Sequence, residues 1–302
     1  RKGDVMVDFI ATPFAFGDIE KLKTAGAQSV QIAVPFFSAR GAACFPIEEL
    51  PDIKAECVRC QISMYVLVNR IFVEEELERL RDFLKLLKEL DVEGIYYGDE
   101  GVLYEAARLD MKDRLIYNPD TLITNAMDMQ YYLDEGIRMA TISKEITLQE
   151  MCTVARDVQG ECEVVLHGRL NMMHSKRKLL SAYMEFLGKE EAVTDNHQLY
   201  LMEETRDDHM PIVEDALGTH VFTGFTLVSF EEIRELYEAG VRHFRIDGIF
   251  HDIEYVCEAL RLYQDVLKGV RDGRQTYQEY EKKYKEDHVS HGFYYTKTSK
   301  VK

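Results

Sequence analysis

Apolar positions along this chain keep two alternating periods. Stretches with apolar residues every three or four positions pass through a short glycine-containing turn into brief β-branched runs. Residues 19–24 lead through Ala25-Gly26-Ala27 into Ser29-Val30-Gln31-Ile32-Ala33-Val34, and residues 77–90 lead through Val92-Glu93-Gly94 into Ile95-Tyr96-Tyr97. Residues 127–133 reach Met139-Ala140-Thr141-Ile142 by way of Glu135-Gly136-Ile137, and residues 233–237 reach His243-Phe244-Arg245-Ile246 by way of Glu238-Ala239-Gly240-Val241. A glycine just past a helix end supplies the left-handed cap that turns the chain back toward a sheet.

Eight short apolar runs qualify as strands, beginning near Val5, Ser29, Ile62, Gly94, Arg114, Met139, Glu163 and Arg242. Short apolar strands alternating with helices predict a parallel sheet covered on both faces. Eight such units predict a TIM-type (β/α)8 barrel over residues 1–272, with a doubly wound open sheet as the alternative. No Gly-x-Gly-x-x-Gly follows the first run, which weakens a dinucleotide-binding reading. Between the seventh and eighth runs lie roughly 70 residues, far more than a βα unit needs, so residues 170–225 are read as an insertion over the functional face. Residues 273–302, rich in Tyr, Lys and Glu, are read as a helical extension and a loose polar tail.

The runs end in polar residues: Thr12, Ser38 and Arg40, Asn69, Asp99, Asn118, Glu145, His167 and Asp247. In a barrel these ends share the C-terminal mouth, where a mixture of amides, carboxylates, Arg and His suits an oxygen-rich ligand.

Composition narrows the classes. The chain has 302 residues, 46% of them hydrophobic, enough for a large core. No apolar run is long enough to span a bilayer, and no charged-then-apolar leader opens the chain, so a cytoplasmic location without membrane contact is expected. Six cysteines without compact even spacing fit a reducing compartment, and Cys57-Val58-Arg59-Cys60 is a lone CxxC with no second pair to complete a metal site. With 37 basic against 54 acidic residues the net charge is −17, which argues against this subunit holding nucleic acid by itself.

The region from Cys162 to His220 carries the most specific motifs: Leu166-His167-Gly168-Arg169-Leu170-Asn171, Lys178-Leu179-Leu180-Ser181, Arg206-Asp207-Asp208-His209, and Gly218-Thr219-His220. With Phe37-Ser38-Ala39-Arg40, Gly98-Asp99-Glu100-Gly101-Val102-Leu103, Thr124-Asn125, Ser143-Lys144-Glu145 and Phe244-Arg245-Ile246-Asp247-Gly248, the chain resembles peptidase family U thirty-two, the collagenase-like peptidases, to about Lys268. Asp247 stands where the family has Glu, and Ile249 where it has Arg. In most members cysteines associated with an iron–sulfur cluster occupy the places of Asn171 and Lys178. Here no cysteine occurs between Cys162 and Cys257, so no cluster is expected in this chain.

The resemblance is strongest to the shorter, cluster-lacking members found beside a longer, cysteine-bearing paralogue in Gram-positive bacteria. It implies a part in oxygen-independent, prephenate-linked hydroxylation of the tRNA wobble uridine, with that paralogue as partner and tRNA reached through the complex. On this reading Glu145, His167 and Asp247 are the candidate catalytic groups. Arg40, Asn69, Asp99, Asn118, Asn125 and Arg169 are candidates to bind a prephenate-like carboxylate, with Arg40 or Arg169 as the counter-charge. The family label implies a collagenase-like peptidase as the alternative. However, Gly-x-Ser-x-Gly and His-Glu-x-x-His are both lacking, and His167, His174, His209 and His220 have no standard zinc spacing, so no metal is assigned. A non-catalytic barrel that binds a metabolite or stabilises its partner is the third reading.

Overall fold

In a computed structural model, which describes residues 7–202, 204 and 209–298, strands β1 (Asp8–Ala11), β2 (Ser29–Ile32), β3 (Ser63–Val68), β4 (Gly94–Tyr97), β5 (Leu115–Tyr117), β6 (Met139–Thr141) and β7 (Glu161–Ser175) pair in parallel in chain order. The chain then forms β8 (Tyr200–Leu201), β9 (Met210–Asp215) and β10 (Gly218–Val228) before returning as β11 (His243–Ile246). β11 pairs with β1 through Asp8 and His243 and with β7 through His243 and Glu163. Those two pairings close an eight-strand parallel barrel, the TIM-type fold predicted from the sequence, and exclude the open sheet.

Helices α1 (Asp18–Ala25), α2 (Leu50–Cys60), α3 (Leu77–Glu89), α4 (Glu100–Arg108), α5 (Ala126–Asp134), α6 (Leu148–Asp157), α8 (Ile233–Glu238) and α9 (Ile253–Lys268) surround it, while α7 (Leu179–Phe186) belongs to the insertion. Their apolar stripes meet the outward strand residues in one continuous core. The inward residues Ile10, Ala33, Tyr65, Leu67, Tyr96, Ile116 and Met139 fill the barrel. Gly26, Gly136 and Gly240 take the predicted left-handed caps. The turn before β4 differs from the expectation. Asp91 takes the left-handed conformation there, and Gly94 is a strand residue on which a Cβ would lie 2.6 Å from the Tyr65 ring.

Polar residues inside the barrel are paired rather than scattered. At the bottom, Asp8 accepts from Ser29 Oγ at 2.7 Å and Tyr65 Oη at 3.0 Å, and lies 3.0 Å from His243 Nδ1. Higher up, Glu163, with no solvent exposure, accepts from Thr141 Oγ1 at 3.0 Å and from Tyr96 Oη, and lies 3.5 Å from Arg245 Nε. A buried carboxylate needs such partners to stay ionised.

β7 runs well past the rim. Its first half pairs with β6 and β11, and from His167 on it pairs antiparallel with β10. The insertion is thus a small sheet of β7, β10, β9 and β8, with α7 laid on it over Met210, Ile212 and Val221. The motif residues Arg206, Asp207 and Asp208 lie outside the described residues. After α9, helix α10 (Gly273–Lys283) and strand β12 (Val289–Ser290, paired with β10) pack Tyr277, Tyr280 and Tyr294 into the barrel core. Helix α10 stands where the helical extension is expected, and the extension packs into the same core; of the polar end at 297–302, residues 299–302 lie outside the described residues.

The strand leaves the barrel at Gly168, where φ is 123° and an added Cβ would lie 2.6 Å from the Asp247 carbonyl oxygen. Gly168→Ala is expected to cost about 1–3 kcal/mol of stability, since neither the backbone angle nor the contact tolerates a methyl group. Urea unfolding reads this; an unchanged midpoint and slope refutes it.

Candidate ligand site at the barrel mouth

The loop after β2 is fixed before it delivers its functional residue. Ser38 Oγ accepts from the Val34 amide at 2.7 Å and donates to the Leu67 carbonyl at 2.6 Å. Asn69 grips Ala39 from both sides, accepting from its amide at 2.8 Å and donating to its carbonyl at 3.0 Å. Arg40 follows in a left-handed conformation (φ 60°), and its Nη2 meets Asp120 Oδ2 at 2.8 Å. Asp120 is left-handed too (φ 67°), so both partners of the ion pair hold backbone that non-glycine residues seldom adopt. Strain of this kind persists where surrounding contacts over-determine it and is concentrated at functional sites.

Asp120 also lies 3.3 Å from Lys144 Nζ and accepts from Asn171 Nδ2 at 3.4 Å. Burial pushes its carboxyl up, but Arg40, Lys144 and Arg245 outweigh that and hold it down at about 2. Burial lowers Lys144, with Asp120 opposing. Asp247 is raised by burial, against the pull of Arg245, and accepts from the Ile249 amide at 3.0 Å. Arg169 donates to the Thr223 carbonyl at 2.8 Å, and burial lowers it. Arg245 stands over the Tyr96 ring at 5.4 Å and donates to the Asn118 amide oxygen at 3.0 and 3.2 Å, with that amide turned to present its oxygen.

Arg40, Asn69, Asn118, Asp120, Lys144, Arg169, Asn171, Arg245 and Asp247 line a small recess open to solvent, with Gln31 among its other walls. Four cations (Arg40, Lys144, Arg169 and Arg245) face two carboxylates (Asp120 and Asp247), a local positive excess in a chain of net charge −17. Gln31 Nε2, on a residue only 4% exposed, has no hydrogen-bond partner among the described residues; neither has Asn171 Oδ1, while Arg245 Nε faces only Glu163, at 3.5 Å. An unpaired buried donor beside a positive recess suits an anionic ligand that supplies acceptors.

Of the residues singled out from sequence, Arg40, Asn69, Asn118, Arg169 and Asp247 line this recess. Four others do not. Asp99 caps α4, accepting from the Gly101 amide at 2.8 Å and the Phe72 amide at 2.8 Å. Asn125 caps α5 through the Asp128 amide at 2.9 Å. Glu145 is half-buried off the lining, and the neighbouring Lys144 takes the place expected for it. His167 faces the helices. The β7–β11 register steps from Arg245↔Val165 to Ile246↔His167, so Leu166 is an extra residue that breaks the alternation and carries His167 out of the mouth. It is fully buried, with Tyr255 Oη at 2.9 Å, Tyr263 Oη at 3.2 Å and Tyr280 Oη at 3.4 Å. Its role is therefore to hold α9 and α10 to the barrel.

Asp120, Lys144, Arg245 and Gln31 were missed. Asp120 lies two residues beyond the polar strand end, and Arg245 and Gln31 look like the interior of apolar strands. The period-2 alternation of β11, which puts Arg245 on the same face as Asp247, was the available signal.

The residues do not fit an iron–sulfur cluster. Asn171 is turned to Asp120, Lys178 precedes α7, and Cys57, Cys152, Cys162 and Cys257 are buried in separate elements. No group of three His, Cys, Asp or Glu suited to a metal occurs among the described residues. Also among the described residues, no helix is long and apolar enough to cross a membrane.

The model of Peptidase family U32 matches residues 16–302. Over 274 residues the chain is 28% identical to tRNA hydroxylation protein P2 of Bacillus subtilis, covering 90% of this chain and 89% of that protein. It is 24% identical to tRNA hydroxylation protein P1 of the same organism, with 83% of this chain aligned to 61% of a longer protein. A solved U32 peptidase matches with a TM-score of 0.52 at 14% identity, covering 82% of this chain and 94% of that one, a likeness of fold alone.

The placement of His167 has a pH signature. Burial lowers its pKa from 6.5 to about 3, so between those values the unfolded chain binds the proton and the folded one does not. Stability is therefore expected to fall with pH across that window, by at most about 1.4 kcal/mol per pH unit from this group. Urea unfolding at a series of pH values should show that part of the slope missing in His167→Gln, and an unchanged slope refutes the assignment.

Proposed function

We propose, from the premise that the chain belongs to peptidase family U32, that it is a subunit of an oxygen-independent system hydroxylating the tRNA wobble uridine, with a prephenate-like carboxylate held at its mouth. A longer, cysteine-bearing paralogue is the proposed partner. The observation that carries the ligand assignment is the recess itself, with four cations against two carboxylates and an unpaired buried donor on Gln31. The kinship with P2 and P1, two tRNA hydroxylation proteins of one organism, supports the RNA role and the pairing.

In this role the chain binds and orients. Arg169 has no ion-pair partner among the described residues and is the cation most available to a ligand carboxylate. Gln31, with its amide donor unpaired, meets an acceptor at the floor, and Arg245 adds positive charge beside it. Arg40 and Lys144 are shared with Asp120, which fixes their heads. Asp247, its carboxyl raised by burial, stands at the rim beside these cations. Peptide cleavage finds less support, because the lining contains no serine or cysteine and the Thr141 hydroxyl is spent on Glu163.

Two outcomes test this reading. Bulk tRNA from a strain deleted for this gene is expected to lose 5-hydroxyuridine-derived wobble nucleosides and regain them on restoration, read by nucleoside mass spectrometry. Unchanged nucleosides in a strain without a compensating paralogue refute it. On the purified chain, prephenate is expected to raise the melting temperature while acetate does not. Arg169→Ala should weaken prephenate binding about ten- to a hundredfold, the worth of a charged hydrogen bond; equal binding by the variant refutes the ligand assignment.

A further inference from the structure

Helix α7 turns its apolar stripe to the solvent. Leu179, Tyr183, Phe186 and Leu187, spaced as one helical face, are 38%, 55%, 85% and 43% exposed, and no residue of the helix is buried. The orientation is held firmly. The Leu180 and Ser181 amides donate to Glu214 Oε2 at 2.8 and 3.1 Å, the Leu179 amide donates to Thr219 Oγ1 at 2.9 Å, and Leu180 packs on the small core beneath. Glu214 itself has no solvent exposure. The helix is therefore pinned by its inner side with large apolar groups outward, where a monomer gains nothing from them.

The charges at its two ends indicate what covers the stripe. Arg177 and Lys178 precede the helix, and Glu190 and Glu191 follow its glycine turn, all four exposed, with Lys189 diluting the acidic end. The helix is about 12 Å long, at 1.5 Å per residue. A second copy laid antiparallel across a two-fold axis sets each basic end against the other copy's acidic end, so a single surface complements itself. We propose that α7 is the contact of a two-fold dimer of this chain, stripe against stripe. A stripe this short falls below the roughly 800 Å² that each partner of a stable pair buries, so the dimer is a weak one.

The proposal is independent of the hydroxylation reading, and its test needs neither tRNA nor paralogue. Sedimentation of the purified chain from about 1 to 100 μM should show the mass rising from 35.1 kDa toward twice that value. Phe186→Glu should weaken association roughly tenfold or more. Arg177→Glu with Lys178→Glu should weaken it, as should Glu190→Lys with Glu191→Lys, while mixing these two variants should restore it. All the substitutions are on exposed positions, and circular dichroism confirms folding. A wild-type chain that stays monomeric throughout, or associates only with the longer paralogue, overturns the proposal. So does a mixture of the two reversed variants that fails to associate.

Discussion

The buried pair of Glu163 and Arg245 is the constraint on which the mouth depends. Neither charge reaches bulk water, and Glu163 is tolerated only because Tyr96, Thr141 and Arg245 converge on it from three other strands. Removing one member of such a group leaves the other buried and unpaired, at a cost of roughly 3–5 kcal/mol. The same contacts fix the guanidinium of Arg245 over Tyr96, leave its other nitrogens to Asn118, and aim its head at the floor of the recess. Barrel closure and the recess therefore share residues, because β11 closes the sheet, carries Arg245 and ends beside Asp247.

β7 extends this logic outward. Val165, Arg169 and Asn171 line the recess from one strand, and the same strand becomes the edge on which the insertion sheet is built. The bulge at Leu166 and the positive φ at Gly168 let it serve both purposes, because they re-aim the strand between its barrel half and its insertion half. His167 falls between these two irregularities and is spent on Tyr255, Tyr263 and Tyr280, which bring the C-terminal segment into the core.

Much of this was legible from periodicity. Seven of the strand starts, the barrel and the insertion follow from local pattern, because short apolar runs between amphipathic helices have few ways to pack; the start expected near Val5 lies outside the described residues. Arg40, Asn69, Asn118, Arg169 and Asp247 were legible because they end strands or follow them closely. His167 was misplaced because a bulge is a register event with no signature in a single strand. Asp99 and Asn125 were misplaced because a capping Asp or Asn at a helix start cannot be told from a ligand-binding one by residue type. Asp120 was missed because its place depends on a left-handed backbone that an Asp does not announce.

Asn171, at a position where the family resemblance implies a cysteine in most members, can be understood at the same level. Asn171 sits 3.4 Å from an Asp120 oxygen and meets it with an N–H donor. A cluster-bound thiolate at that position would place a second negative group beside a carboxylate that Arg40 and Lys144 already hold ionised. Two anions at that distance repel strongly in a partly buried site. The neutral amide and the Arg40–Asp120–Lys144 triad are therefore one arrangement. With a donor at position 171, Asp120 can be satisfied within the chain and lock the cation heads at the recess. The amide at position 171 and the positive recess are thus parts of one set of contacts.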